Sequence, residues 1–305
     1  MKILMFDSRH PYPELLKELK SKLGTVDSAH GWHSFHPISC LMVSKQLYEK
    51  HKEHFHSYKP HVEDNLVIRV HAQVEKADLM PWGVEYLGGE RLWKRGMGKG
   101  VKVAVIDTGI ARQHPDLKSR VKGGYHFVKG KMNGHGTHVA GTIAAALNHY
   151  GIVGVAPEVE LYDVRAFSSD GTAELANIMK AIDWSIQNHM QIINMSFGMP
   201  EYSKVLDTIV KHATSKGIVM VASAGNNGGK VEYPARYAHV IGVGAIDQKG
   251  NLADFSSRGA GMNRTAPGVG IYSTWLKNSY RTLDGTSMAA PHITGLLALR
   301  LGAKQ

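Results

Sequence analysis

Residues 101–107 read VKVAVID: an almost unbroken apolar run that ends on a carboxylate. It shows no period-two alternation. A strand of this kind has both faces covered, as in a parallel sheet with helices on either side. Similar runs follow at 161–167 (LYDVRAF), 191–197 (QIINMSF), 217–225 (GIVMVASAG) and 240–247 (VIGVGAID). Amphipathic helical stretches lie between several of them, at 173–189 (AELANIMKAIDWSIQNH) and 202–217 (YSKVLDTIVKHATSKG). Strands alternating with helices predict an α/β fold: a three-layer, doubly wound, mostly parallel sheet. In such sheets the active residues collect beyond the carboxyl ends of the strands.

Upstream the pattern differs. KILMF reads as a short strand, and PELLKELKSKLG places Leu15, Leu16, Leu19 and Leu23 on one helical face before Gly24. ISCLMVS, KQLYEKHKEHF and NLVIRV read as strand, helix and closing strand. This order predicts a small α+β unit of ferredoxin-like type over residues 1–76, ahead of a larger unit over 77–305. HAQVEKADLMPWG is expected to be a polar linker outside any sheet.

Composition narrows the function classes. A chain of 305 residues can bury one large core or one core plus a small appended unit. No stretch approaches the ~18 apolar residues of a membrane span. The apolar run after Lys2 is cut short by Asp7, too short for a signal peptide. A cytoplasmic location is therefore expected, unless a signal lies outside this sequence. The single cysteine, Cys40, excludes an internal disulfide. A formal charge of +10 raises nucleic-acid binding, but the basic residues are scattered, with no run of five or six. The charge is read as solubility and mild steering, with no nucleic-acid or membrane partner expected.

Four segments carry chemistry. Asp107 closes the 101–107 strand, where an aspartate can cap a helix or serve a site. His135 and His138 lie in NGHGTHVAGTIAAAL, a glycine-rich entry into a small-residue helix. This spacing suits tight packing or a zinc pair, though no third ligand is near. Asn226 follows a strand in MVASAGNNGG, as a turn residue or a catalytic amide. Ser287 lies in TLDGTSMAAPHITG, at the first turn of a helix, where unpaired N–H groups suit either a cap or an oxyanion. Taken together they supply a nucleophile, a base, a carboxylate to hold the base, and an oxyanion donor.

VAVIDTGI, HGTHVAGT, NMSFG, ASAGN and GTSMAAPH resemble the signature blocks of the subtilisin-like serine proteases, from about residue 81 to 301. The order Asp, His, Ser is the order known for subtilisin. The resemblance implies a serine endopeptidase acting on polypeptides. In it Asp107 orients the imidazole, His135 is general base then acid, Ser287 attacks the carbonyl, and Asn226 binds the oxyanion with the Ser287 N–H; His138 is structural. It also implies a substrate groove. Gly171, Thr172 and Ala173 form an edge on which an extended peptide lies. Ser196, Phe197 and Gly198 make one wall of the pocket for the residue preceding the cut, and Ser223, Ala224 and Gly225 make the other. Glu232 stands at the pocket floor, turned either to solvent or inward. The first 76 residues resemble the family's propeptide, an intramolecular chaperone and inhibitor, so the chain would be a zymogen with its own propeptide as partner.

No cofactor is expected for the chemistry. A structural calcium site is expected near Asp116 and Asn148, although the loop ALNHYGIVGVAP is one residue short of the family pattern. The chain stops soon after the Ser287 helix, which is expected to leave Leu296, Leu297 and Leu299 with little cover. A catalytically weak subtilase-fold binding or regulatory protein is the competing reading. A dinucleotide-binding reading fails, because no G-x-G-x-x-G follows a strand.

Overall fold

The computed structural model describes residues 1–6, 11–23, 32–35, 38–70, 73–75 and 80–303. The N-terminal unit runs β1 (Lys2–Met5), α1 (Pro11–Leu23), β2 (Trp32–Phe35), β3 (Cys40–Val43), α2 (Lys45–Lys50), α3 (Lys52–Ser57) and β4 (His61–Asp64). Its sheet has the order β2-β3-β1-β4 with every pair antiparallel, the ferredoxin-like arrangement. One sheet face, with Leu4, Phe6, Leu41 and Val43, packs on Tyr12, Leu15, Leu16, Tyr48 and Phe55 of its own helices. Pleating sends Ile3, Met5, Cys40 and Met42 to the other face, into a core shared with the larger unit.

Three expectations for this unit change. WHSF forms a fourth strand that its composition did not announce. The expected second helix breaks at His51 into α2 and α3. The closing strand is HVED, not NLVIRV: β4 pairs with β1, whereas Val67–Val70 forms β5, which leaves the unit. The linker is not free of sheet structure either, because Gln73–Glu75 forms β6.

The larger unit continues with α4 (Trp82–Tyr86), α5 (Gly89–Trp93), β7 (Lys102–Asp107), β8 (Val121–His126), α6 (His135–Ala144), β9 (Glu160–Arg165), β10 (Thr172–Glu174), α7 (Leu175–Gln187), β11 (Ile192–Met195), β12 (Phe197–Gly198), α8 (Lys204–Ser215), β13 (Val219–Ser223), β14 (Val240–Ile246), β15 (Met262–Pro267), β16 (Ile271–Thr274), β17 (Tyr280–Asp284) and α9 (Thr286–Gly302). Seven strands form one parallel sheet in the order β15-β14-β13-β11-β7-β9-β8. The five apolar runs supply its inner strands. Its outer strands, β8 and β15, were not legible, because each is half-exposed, and they read as the glycine-containing VKGGYH and the largely polar MNRTAP.

The helices cover both faces. α6 and α9 pack on one side, through Val139, Ile143, Met288 and Ala289. α7 and α8 pack on the other, through Ile178, Ile182, Leu206 and Ile209, and the N-terminal sheet lies on this pair. The expected bare face of α9 is not found. Leu299 is buried, and Leu296 and Leu297 are partly buried in the cluster that also takes Trp82 and Trp93.

Two small sheets cross between the units. β5 lies antiparallel between β10 and β12, and β6 pairs antiparallel with β17. No helix among the described residues is long and apolar enough to cross a membrane.

Candidate active site

β7 sits where the strand order reverses: the chain goes to β9 and β8 on one side and to β11 and onward on the other. A crevice opens at the carboxyl end of the sheet at such a point. Asp107 ends β7, His135 starts α6, Asn226 follows β13 and Ser287 is the second residue of α9.

His135 donates its Nδ1–H to both oxygens of Asp107, at 2.8 and 2.9 Å, with both residues almost fully buried. This bond fixes the tautomer, so Nε2 is the basic nitrogen. Asp107 Oδ1 also accepts from the Thr108 N–H and hydroxyl, at 2.7 and 3.1 Å. The approach is close because Gly136 lies against Asp107, where a Cβ would stand 2.9 Å from the aspartate Cβ. Gly134, with φ of 93°, makes the turn into α6 that a side chain would resist.

Ser287 and Ser196 exchange hydrogen bonds. The Ser287 hydroxyl donates to the Ser196 carbonyl at 2.9 Å, and the Ser196 hydroxyl donates to the Ser287 carbonyl at 2.9 Å. The cause lies in α9. The helical partner of the Ser287 carbonyl would be the N–H of residue 291, which is proline and has none. Asn194 Nδ2 reaches Ser196 Oγ at 2.9 Å, and Asn194 Oδ1 accepts from the Thr294 hydroxyl at 2.8 Å.

Asn226 is held by its carbonyl oxygen, which accepts from the N–H and hydroxyl of Thr286 at 2.9 and 2.8 Å. Its NH₂ is therefore the end available to an oxyanion. Thr286 also ties in the pocket wall, accepting from the Gly225 N–H at 3.1 Å. Thr286, Asn194 and Thr294 were missed in the sequence, since nothing local separates them from packing residues.

His138 is buried and its Nε2–H donates to the carbonyls of Ile271 and Arg281, at 2.9 and 3.0 Å. Burial pushes its pKa down to about 3, so it stays neutral and ties α6 to β16 and β17.

The groove residues come together around β5. Thr172 and Ala173 pair with Arg69 and Ile68, and Phe197 and Gly198 pair with Val70 and Arg69. Gly171 turns the chain into β10 with φ of 79°. Ser223 and Ala224 are buried opposite Ser196, and Glu232 is turned inward at 7% exposure, which decides between its two expected orientations.

The calcium expectation at Asp116 and Asn148 is corrected. Asp116 is buried and already accepts from Asn148 Nδ2 at 3.2 Å, the Ile152 N–H at 3.1 Å and the Tyr280 hydroxyl at 2.9 Å. Asn148 Oδ1 accepts from the Tyr150 N–H at 2.9 Å. Calcium needs six to eight oxygens converging on one point. Here N–H and O–H donors converge instead, so these residues do not fit the ion. Among the described residues no cluster of three or more His, Cys, Asp or Glu side chains could hold a metal.

Fold and side chains together define a serine-type endopeptidase of the α/β class, one that needs no cofactor for catalysis. Residues 98–305 match the model of the subtilase family, and the chain belongs to that family. It is 42% identical over 281 residues to a thermostable alkaline protease of Halalkalibacterium halodurans, covering 90% of this chain and 74% of that one. It is 46% identical over 230 residues to subtilisin Savinase of Lederbergia lenta (73% and 84%), and 46% identical over 236 residues to subtilisin DY of Bacillus licheniformis (74% and 85%).

Proposed function

We propose that the chain is a zymogen that cleaves polypeptides, its own propeptide first, through an acyl-enzyme formed on Ser287. His135 Nε2 takes the hydroxyl proton as Ser287 Oγ attacks the carbonyl, then returns it to the leaving amine. Asp107 keeps the imidazole in the right tautomer and stabilises the imidazolium. Asn226 Nδ2 and the Ser287 N–H bind the oxyanion. The Ser287 hydroxyl leaves the Ser196 carbonyl for the imidazole when a substrate engages, since such catalytic bonds commonly tighten only in the reacting complex.

The observation that carries this reading is β5. It occupies the groove between β10 and β12 as an added strand, and β6 continues along β17, which ends three residues before Ser287. Val70 at the end of β5 pairs with Phe197, and Gln73 at the start of β6 pairs with Asp284; residues 71–72 lie outside the described residues. This supports residues 1–76 as the inhibiting propeptide, with the cut at its carboxyl-terminal end.

The test is the mass of the chain after incubation, with a fluorophosphonate label as the count of competent serines. The parent should be cut once within about residues 70–80 and take up the label. Ser287→Ala should stay full length and unlabelled, and His135→Ala should lose about 10⁶ in kcat. A purified Ser287→Ala chain that matures as fast as the parent would overturn the proposal.

A further inference from the structure

We propose that Arg165 is a positioning residue of the reaction: its guanidinium fastens the loop that leads to His135 to the strand end that carries Asp107, and so sets the bond between them. This rests on the endopeptidase reading above and adds a residue outside the four that do the chemistry.

Arg165 ends β9, where it pairs across the sheet with Asp107 at the end of β7. Leu161 of the same strand packs in the core on the α6 side, and pleating sends Asp163 and Arg165 the same way. Both are buried, Asp163 wholly and Arg165 at 3% exposure. A cation is costly there unless its N–H groups are met. Among the described residues no carboxylate meets them. Asp163, the nearest in sequence, accepts instead from Arg112 Nε at 2.8 Å, His126 Nε2 at 2.7 Å and the Ile110 N–H at 3.2 Å.

The Arg165 guanidinium donates only to main-chain carbonyls, and these belong to two segments. Nη1 donates to Gly130 at 2.7 Å and Nη2 to Lys131, both in the stretch 127–134 that joins β8 to α6. Nε donates to Phe167 at 3.3 Å. The N–H groups of Ala166 and Phe167 in turn donate to the Asp107 carbonyl at 3.0 and 3.2 Å. One rigid fork thus ties the approach to His135 to the segment that grips the Asp107 backbone.

The link runs on to the imidazole. Met132 lies against Gly109, two residues beyond Asp107, where a Cβ would stand 2.8 Å from Met132 Sδ and 3.2 Å from Arg165 Cδ. Asn133 Oδ1 accepts from the His135 N–H at 2.9 Å. Residues 130–133 belong to no strand or helix, so these contacts, rather than a backbone ladder, fix where α6 begins. Asp163 steadies the other partner through Ile110, three residues past Asp107. A lysine cannot replace the fork, because a single ammonium on a flexible stem does not hold two carbonyls in one plane.

The experiment compares Arg165→Met, which keeps most of the stem, with Arg165→Lys, which keeps the charge. Each is matured with a trace of parent enzyme whose activity is subtracted, and fluorophosphonate titration counts competent sites. Per labelled site, kcat should fall about 10- to 100-fold in Arg165→Met and about 3- to 10-fold in Arg165→Lys, with KM within about twofold of the parent. The acid limb of kcat/KM should move to lower pH in both, because an imidazole held less firmly by Asp107 takes up its proton less readily. Arg165→Lys decides the matter where Arg165→Met yields no labelled protein. Fewer labelled sites or a lower Tm, with parental kcat per site and an unmoved limb, would make Arg165 a fold residue only and overturn the proposal. A raised KM at unchanged kcat would overturn it too. A parent that takes no label overturns the peptidase reading, and this proposal with it.

Discussion

Ser196 and Ser287 hold each other through two hydrogen bonds of 2.9 Å, hydroxyl to carbonyl in each direction. One of these exists because Pro291 leaves the Ser287 carbonyl without a helical partner. Ser196→Ala would strand that buried carbonyl, while the Ser287 hydroxyl keeps its bond to the backbone carbonyl of residue 196. We expect a stability loss of about 1–3 kcal/mol, read from urea unfolding. Pro291→Ala restores an N–H at the right place, so Ser196→Ala in that background should recover part of the loss. Equal losses in both backgrounds would show that Ser196 acts elsewhere.

Asn226 and Thr286 form a second close pair, in which both bonds run from Thr286 to the Asn226 side-chain oxygen, and in the proposed mechanism the Asn226 amide serves the oxyanion. Removing the amide in Asn226→Ala should lower kcat by about 10²–10³ with little change in KM, because one donor remains. Thr286→Val keeps the N–H bond to Asn226 but deletes the hydroxyl bond at 2.8 Å. A smaller loss, about 10-fold in kcat, should follow from looser placement of the amide. A Thr286→Val enzyme with raised KM and unchanged kcat would place Thr286 in substrate binding instead.

The N-terminal unit caps two helices of the larger unit. Glu63 accepts from the Ser203 hydroxyl at 2.7 Å and the Lys204 N–H at 2.9 Å at the start of α8. Asn65 Oδ1 accepts from the Ala176 N–H at 2.8 Å at the start of α7. A carboxylate at a helix N-terminus gains from both the bonds and the dipole. If residues 1–76 inhibit as proposed above, this unit carrying Glu63→Ala and added in trans to the remainder of the chain should inhibit about 10-fold less tightly, since loss of a cap and its charge costs on the order of 1–2 kcal/mol. Unchanged inhibition would mean that the shared apolar core alone holds the two units.

Acid stability should be set in part by buried histidines. Burial holds His138 at about 3 and His292 at about 4, both below the ordinary value of about 6.5. The unfolded chain therefore takes up protons below about pH 6.5 that the folded chain refuses. Stability that is full above this value falls as pH drops towards about 4, on the order of 3 kcal/mol for His292 alone. Most carboxylates stay ionised between about pH 6.5 and 5, so a falling Tm across that interval reports the histidines. His292→Asn should flatten the slope; a Tm already flat there in the parent would remove the histidines from the account.

The apolar runs around β7, β9, β11, β13 and β14 determined the parallel sheet on their own, because a strand covered on both faces must be apolar along its length. The four signature segments likewise placed Asp107, His135, Asn226 and Ser287 at strand ends or helix starts. Long-range pairing was not legible. NLVIRV reads as a good closing strand, yet HVED closes the small sheet, since the groove between β10 and β12 offers β5 two sets of backbone partners at once. Asp116 and Asn148 read as two oxygen ligands until Tyr280, 164 residues away in sequence from Asp116, supplies a hydroxyl to the carboxylate. Glu232 could have faced water or the pocket until Asn227, Ala224 and Gly225 fixed it inward. Periodicity is a property of neighbours along the chain, so sequence alone determined the elements and the chemical groups they carry. Which edge a strand takes, and which donor a buried oxygen meets, depends on segments far apart in the chain, and only the tertiary structure decided these.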